Sequence, residues 1–355
     1  MTQDDSYSLE ELGWRNSLAR QLVVDGDEDR IPVRVLEVHR DKLRVAGEST
    51  HGLISLPVLS GSAGEEDAPT VGDWLLLDRE TLHFGRLLER QSLFKRRAAG
   101  TSGKTQLIAA NIDTVFIVSS CNQDFNEARL ERYLVLAREA SVFPVIVLTK
   151  VDLCDDPSDY VKRASNLLPS LLVEKVNALD AESVKRLTPF CGVGQTVVLL
   201  GSSGVGKSTL VNSLTRSNGT ATQSVREDDD KGRHTTTGRT FYRLNDGGWL
   251  VDTPGMRVIQ LTGAATGIRE VFEEIEALAV DCRYGDCSHN TEPGCAVRSA
   301  IDRGEIEESR LARWRKLGAE ERRNSETLAE RRARDKDFGK LVRTVKGEKT
   351  GRRSS

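Results

Sequence analysis

Apolar residues follow two rhythms along this chain. From Ile31 they come in short runs broken by polar turns: Val33, Val35 and Val38, then Leu43 and Val45, then Leu53, Ile54 and Leu56. A loop rich in glycine, serine and acids (Ser60 to Asp67) leads to Val71–Leu77 and on to Leu82, Phe84 and Leu87. Such closely spaced short strands predict a small antiparallel barrel, either a nucleic-acid-binding five-stranded one or a plain scaffold.

The second rhythm begins at Val115. Val115–Val118 reads as a buried strand, and Asn126–Ala140 as a helix with Leu130, Leu134 and Ala137 at helical spacing. Strand-like runs recur at Val145–Leu148, Leu171–Val176, Thr196–Leu200, Phe241–Leu244 and Trp249–Val251. Strands separated by helix-length segments predict a doubly wound, mostly parallel sheet. Further on, Ile301–Leu317 predicts a helix anchored by Ile306, Trp314 and Leu317.

Composition narrows the class. With 355 residues, 38% of them hydrophobic and 30% charged, the chain suits two or three soluble domains. No apolar run approaches membrane-spanning length and the first residues are acidic and polar, so neither a signal peptide nor a transmembrane helix is expected. Six cysteines without a leader fit a reducing cytosol, where clustered cysteines mean metal more often than disulfide. A cytoplasmic monomer is expected.

Net charge is only −3, but residues 1–31 carry eight acids against three bases, and residues 310–355 sixteen bases against seven acids. The basic end is either an arm for a polyanionic partner or a solvated helix that frays, and its one-signed excess favours the arm. The expected division is an acidic extension (1–30, a short helix then a loop), a barrel (31–95), a nucleotide domain (105–262), a C-terminal domain (263–320) and a basic tail (321–355). Arg90–Lys104 reads as a basic linker, either a tether or a phosphate-contacting loop.

Chemistry concentrates in three strand-end motifs. Gly201, Ser202, Ser203, Gly204, Val205, Gly206, Lys207, Ser208 and Thr209 spell G-x-x-x-x-G-K-S-T directly after a strand. Small residues let backbone N–H groups curl around a phosphate, Lys207 reaches the outer phosphates, and Ser208 ligates magnesium. Asp252-Thr-Pro-Gly255 follows a second strand, placing a carboxylate near the magnesium shell and the Gly255 N–H near the terminal phosphate. Thr149, Lys150, Val151 and Asp152 end a third strand. The Asp152 carboxylate can accept two hydrogen bonds from guanine that adenine does not offer, and the Lys150 stem can lie along the base. Asn177-Ala-Leu179 is a companion loop whose Ala178 N–H could meet the base oxygen.

The base-reading motif precedes the phosphate loop here, the reverse of most guanine-nucleotide switches, so a circular permutation is expected. In the charged segment between phosphate loop and Asp252, Thr235 or Thr236 completes the magnesium shell. Met256 stands where many GTPases place a water-orienting glutamine and has no group for that task. His234 is then the candidate for positioning water, against a plain solvated histidine.

Cys282, Cys287, His289 and Cys295 fall close together among turn residues Gly285, Pro293 and Gly294. Three thiolates and an imidazole predict one closed, structural zinc site. Cys121, Cys154 and Cys191 adjoin apolar runs and read as core.

A barrel, then TKVD before GSSGVGKST, then GRHTTT, DTPG and C-x4-C-x-H-x5-C together resemble the RsgA (YjeQ) family of ribosome small-subunit-dependent GTPases, over about residues 31–320. The resemblance implies an OB-type barrel, a circularly permuted α/β P-loop GTPase domain and a small zinc-binding helical domain. It also implies binding of GTP and GDP with Mg2+, binding to the small ribosomal subunit and its rRNA in late maturation, and subunit-stimulated hydrolysis with His234 favoured for that step. Thr149 stands where asparagine is commoner, and Met256 matches the family's apolar residue. Other readings are a P-loop kinase or ATPase, against which Asp152 argues, and an RNA-binding scaffold that binds GTP with negligible turnover.

Overall fold

The computed structural model describes residues 7–22, 27–57, 64, 66–97, 105–215, 240–252 and 261–325. A single helical turn α1 (Asn16–Ala19) precedes strands β1 (Arg30–Val38), β2 (Lys42–Ala46), β3 (His51–Ser55), β4 (Trp74–Asp78) and β5 (Phe84–Leu87), antiparallel in the order β3-β2-β1-β4-β5. The side-chain period of two sorts their residues. Val33, Val35, Leu43, Val45, Leu75 and Leu77 fill the barrel-side core, whereas Trp74 and Leu76 join the larger core beyond it.

The stretch read as a tether contains a strand. β6 (Leu93–Arg97) pairs antiparallel with β7 (Thr105–Ala110), and Phe94 is buried between barrel and nucleotide domain elements. Residues 98–104 lie outside the described residues.

Strands β8 (Thr114–Ser120), β9 (Phe143–Thr149), β10 (Leu172–Lys175), β11 (Thr196–Leu200) and β13 (Trp249–Asp252) run parallel in the order β10-β9-β8-β11-β13. β12 (Thr240–Arg243) lies antiparallel beside β13 and touches β1 through Glu37 and Thr240, so barrel and nucleotide sheet share one continuous ladder. The helices α2 (Glu127–Glu139), α3 (Ser158–Ser165), α4 (Ala181–Val184) and α5 (Lys207–Thr215) belong to this domain. α2 starts where Asn126 accepts the Arg129 N–H at 3.0 Å, the expected satisfaction of an orphan first-turn donor. The predicted doubly wound sheet is therefore present, with β12 as its antiparallel member.

The acidic extension is a docked segment. Leu12 and Leu18 are buried, and the rings of Trp14 and Trp74 meet edge-on with centroids 4.8 Å apart. On the nucleotide side, Trp249 Nε1 donates to the Glu11 carbonyl at 2.7 Å, Arg243 pairs with the Glu11 carboxylate at 2.9 Å, and Arg15 pairs with Asp113 at 2.6 Å. Gly13, at φ +88°, lies so close to Gly194 that a β-carbon would stand 2.6 Å from its carbonyl oxygen. Arg34 of β1 closes the joint, donating to the Leu12 carbonyl at 2.6 Å and the Asn111 carbonyl at 3.1 Å. Burial lowers its guanidinium to about 10, still charged at neutral pH.

After the sheet come α6 (Ala265–Val271), α7 (Glu273–Val280), α8 (Ala296–Asp302) and α9 (Glu308–Ser325). The predicted single helix over 301–317 is two elements. α8 stops at Asp302, and Gly304 at φ +75° turns the chain, as a left-handed residue past a helix end does. Ile306 and Leu317 are buried as predicted, and α9 continues to Ser325.

Helix α9 is bound to α2 by charge. Glu131 of α2 has no exposed side chain and pairs with Arg310 at 2.7 Å and Arg313 at 2.7 Å. Arg310 also donates to Glu274 and to the carbonyls of Leu167 and Val271, and sits 4.3 Å above the Phe272 ring. Removing Arg310 leaves the buried Glu131 carboxylate with Arg313 alone and two backbone carbonyls without their donor. Arg310→Ala is expected to cost about 3–5 kcal/mol, read as a fall in the urea midpoint. Arg310→Met with Glu131→Leu should recover much of that loss.

Candidate nucleotide and metal sites

The chain passes from β8 through β9 to β10 towards one sheet edge, then returns to β11 and fills the other side. The winding reverses between β8 and β11, the place where ligands sit at the carboxyl ends of strands in open α/β sheets. The phosphate loop leaves β11 at that point. A β-carbon on Gly201 would stand 2.4 Å from the Val118 carbonyl oxygen of β8, so only glycine lets the loop turn there. Gly204 and Gly206 take φ of +79° and +93°, which side-chain-bearing residues rarely adopt.

Lys207 opens α5 and is buried, with its ammonium donating to the Gly201 carbonyl at 2.9 Å and to the Ser202 carbonyl. Ser208 and Thr209 occupy the same helix turn, half-buried. Ser203 and Gly204 are exposed at the tip, and Val205 is buried. The helix N-terminus and loop amides thus converge on one point, suited to phosphate charge.

The structure brings the base-reading motif to this loop and joins the two through Thr149. Thr149 is buried and its hydroxyl donates to the Val205 carbonyl at 2.5 Å. It therefore ties the end of β9 to the back of the phosphate loop. Lys150 follows at φ +55°, and Val151–Leu153 form one tight turn that leaves Asp152 exposed. Left-handed geometry at a lysine is uncommon and swings the chain so that Asp152 leaves the strand direction.

The companion loop is fixed to the same helix. Ser213 of α5 donates to the Ala178 carbonyl at 2.7 Å, Asn177 Oδ1 accepts the Leu179 N–H at 3.0 Å, and Ser183 accepts the Asn177 N–H at 2.8 Å. Asp252 ends β13, one residue beyond the Val198–Val251 pairing, and so lies along the same edge as the phosphate loop. His234, Thr235, Thr236, Gly255 and Met256 lie outside the described residues.

Sequence reasoning missed a further contact. Arg129 of α2 donates to the Ser202 hydroxyl. Nothing local marks it, since the two residues are distant in the chain and meet only when β8 and β11 become neighbours.

The cysteine cluster is assembled in the C-terminal domain, where α7 and α8 meet. Cys282 lies just past α7, His289 is buried with φ +59°, and Cys295 caps α8 by accepting the Arg298 N–H at 3.4 Å. Cys282 Sγ and Cys295 Sγ are 3.8 Å apart, each is 3.5 Å from His289 Nδ1, and all four ligand atoms lie within 4.8 Å of one another. Metal–sulfur and metal–nitrogen bonds of about 2.3 and 2.0 Å at tetrahedral angles give edges of about 3.8 and 3.5 Å. The donor set fits a tetrahedral ion, and the sulfur separation is far too long for a disulfide.

Burial lowers the His289 pKa, keeping the ring neutral as a ligand must be. Arg315 of α9 donates to the carbonyls of Ser288 and His289, and Glu292 accepts N–H bonds from Ser288, Asn290 and Thr291, so the loop is held from outside as well. The other cysteines differ. Cys121 and Cys191 are buried, which pushes their thiols up to about 11 and about 12, while Cys154 is half-buried.

Strand order, phosphate loop and preceding base-reading turn define a circularly permuted P-loop GTPase. The sequence model of the RsgA GTPase family matches residues 87–262. Small ribosomal subunit biogenesis GTPase RsgA 2 of Vibrio parahaemolyticus is 50% identical over 350 residues, covering 99% of this chain and 96% of that one. The protein named small ribosomal subunit biogenesis GTPase RsgA in Mesorhizobium japonicum is 46% identical over 326 residues, 90% of this chain and 92% of its own. Among solved structures, YjeQ from Thermotoga maritima has the same fold (TM-score 0.59, 24% identity, 81% of this chain and 97% of that one). So does YloQ, described as a circularly permuted GTPase (TM-score 0.58, 20% identity, 86% and 99%). The chain belongs to the RsgA GTPase family.

Two predictions follow from the geometry. Thr149→Val removes the donor from the Val205 carbonyl and should weaken GDP binding about tenfold by equilibrium titration, the order set by one unmade buried hydrogen bond. Metal analysis of purified protein should find one tetrahedral divalent ion per chain, lost in Cys295→Ser together with several degrees of thermal stability.

Proposed function

We propose that the protein hydrolyses GTP to GDP and phosphate while assisting maturation of the small ribosomal subunit. The observation that carries this reading is the meeting of the phosphate loop, the Asp152 turn and Asp252 along one sheet edge, in a chain of the RsgA GTPase family.

In this reading the amides of Gly201–Thr209 and the Lys207 ammonium hold the phosphates, and Lys207 exchanges its two carbonyl partners for phosphate oxygens. Asp152 reads guanine, with Lys150 and Val151 shaping its turn, while Thr149 acts from behind the loop. Ser208, Thr235 and Asp252 are the residues that would hold Mg2+, which supplies neutralisation of phosphate charge. The Gly255 N–H meets the terminal phosphate. His234 orients the attacking water, a task Met256 has no group to perform. Positioning and charge stabilisation dominate such a reaction, so a partner that adds to either one raises the rate.

The barrel (31–95), the nucleotide domain (105–262) and the C-terminal domain (263–320) divide the work. Barrel and basic tail contact rRNA, and Cys282, Cys287, His289 and Cys295 hold one structural zinc. The protein acts as a cytoplasmic monomer. Among the described residues no helix is long and apolar enough to cross a membrane.

GTP and ATP turnover with and without small ribosomal subunits tests the reading, beside Asp152→Asn. GTP hydrolysis should rise at least tenfold with subunits, ATP should be ignored, and the variant should bind GTP at least tenfold more weakly. Tight GTP binding with no turnover on subunits would instead favour an RNA-binding scaffold.

A further inference from the structure

Of the six charged side chains on helix α2, four are matched by opposite charge and a fifth, Glu139, is held by a backbone N–H. Glu127 pairs with Arg163 at 2.8 Å and Arg313 at 3.4 Å. Glu131 pairs with Arg310 and Arg313, and Arg132 with Glu320 at 2.6 Å. Arg138 is 3.9 Å from Glu270, and Glu139 accepts the Gly267 N–H at 2.9 Å. Arg129 is the exception. Among the described residues no carboxylate lies within ion-pair distance of it, and its guanidinium donates to the Ser202 hydroxyl in the phosphate loop.

Two features make this contact more than a surface bridge. The first turn of α2 is fixed, because Asn126 caps it on the Arg129 N–H itself. And Ser202 is the residue whose carbonyl accepts from Lys207. One end of Ser202 is thus gripped by a cation on α2, and the other faces the lysine that must move when phosphate binds. A guanidinium has no acceptor role and stays charged, so it can hold the hydroxyl oxygen in every nucleotide state.

We propose that Arg129 is a positioning residue for the phosphate loop. It anchors Ser202 so that the backbone at 202–206 keeps its shape when Lys207 leaves the carbonyls of Gly201 and Ser202. The inference rests on the GTPase reading for its consequence in turnover, but the anchoring itself is independent of hydrolysis. Loop amides aimed in advance at the phosphates need no rearrangement as charge shifts towards the leaving oxygen. Arg129 acts on that aim through Ser202 and touches no reacting atom.

The test uses the full-length protein with Arg129→Gln, Ser202→Ala, the double variant and Arg129→Lys. Both single variants should lower subunit-stimulated kcat roughly tenfold with KM changed less than about threefold, the order set by one charge-assisted hydrogen bond. Both should also speed release of fluorescent GDP several-fold, and the double variant should be no worse than the poorer single one. Arg129→Lys keeps charge and a donor and should recover part of the loss. Unchanged GDP release and turnover in Arg129→Gln, or losses that multiply in the double variant, would overturn the proposal. If the wild type itself fails to hydrolyse GTP on subunits, the GTPase reading falls, and the GDP-release arm alone still decides whether Arg129 anchors the loop.

Discussion

The Val118 carbonyl oxygen lies 2.4 Å from where a β-carbon at Gly201 would stand, and the nucleotide site is arranged around that close approach. Because β8 and β11 pair in register, with Leu200 opposite Ile117, the chain leaving β11 must cross the end of β8 at once. Only a residue without a side chain can do so. The turn this allows puts Lys207 at the start of α5 and returns Val205 towards Thr149 of β9. The base-reading strand is thereby fastened to the phosphate loop by a hydroxyl on one backbone carbonyl. An ordinary turn at 201 would break the loop, the Thr149 contact and the seat of Lys207 together.

Permutation leaves this arrangement intact because a sheet is specified by neighbours and not by chain order. β8, β9 and β10 come first in sequence and fill one half, while β11, β12 and β13 fill the other. What changes is where the ends of the domain fall. β12, the first described element after the segment that contains His234 and Thr235, forms with β13 the edge that meets the barrel through β1 and the N-terminal segment through Trp249 and Arg243. On the other side, α2 receives the C-terminal helix. The nucleotide domain is thus held by a different neighbour at each flank.

How much of this was legible in the sequence depended on range. The barrel strands, the parallel strands and the α2 helix were readable because period and caps act over a few residues, as Val33–Val35 and Asn126 illustrate. The phosphate loop and the cysteine cluster were readable because their chemistry demands fixed spacing. What stayed hidden was mostly long-range. Arg90–Lys104 looked like a tether because its charges hide Phe94, which is buried only once the β6–β7 hairpin packs. In residues 1–30 the short helix was readable and is present as α1, but the docking of Leu12, Trp14 and Leu18 was not, because partners such as Trp74 lie far along the chain. The helix over 301–317 was read through Gly304, a single residue whose φ of +75° ends α8. The contact of the Thr149 hydroxyl with the phosphate loop was likewise invisible, because it joins two strand ends far apart in the chain.

Arginine makes each of the joints between these parts, for a shared physical reason. Arg34 at the barrel joint, Arg243 on Glu11 and Arg310 on Glu131 each combine a carbonyl or carboxylate with an aromatic ring. A planar guanidinium can do both at once, whereas an ammonium would keep its water. Burying such charge costs as much as it returns when the geometry is good, so these joints add little net stability. They do add orientation. Burial raises the Glu131 pKa while Arg310 and Arg313 pull against it, so the cost of burying that carboxylate depends on both partners staying in place. A domain that shifts by an ångström or two therefore loses a fully matched pair at once, and well-packed apolar contacts would yield more gradually. The joints favour one arrangement of barrel, nucleotide domain and C-terminal helix, and α9 is the part of it that grips α2, the helix that carries Arg129.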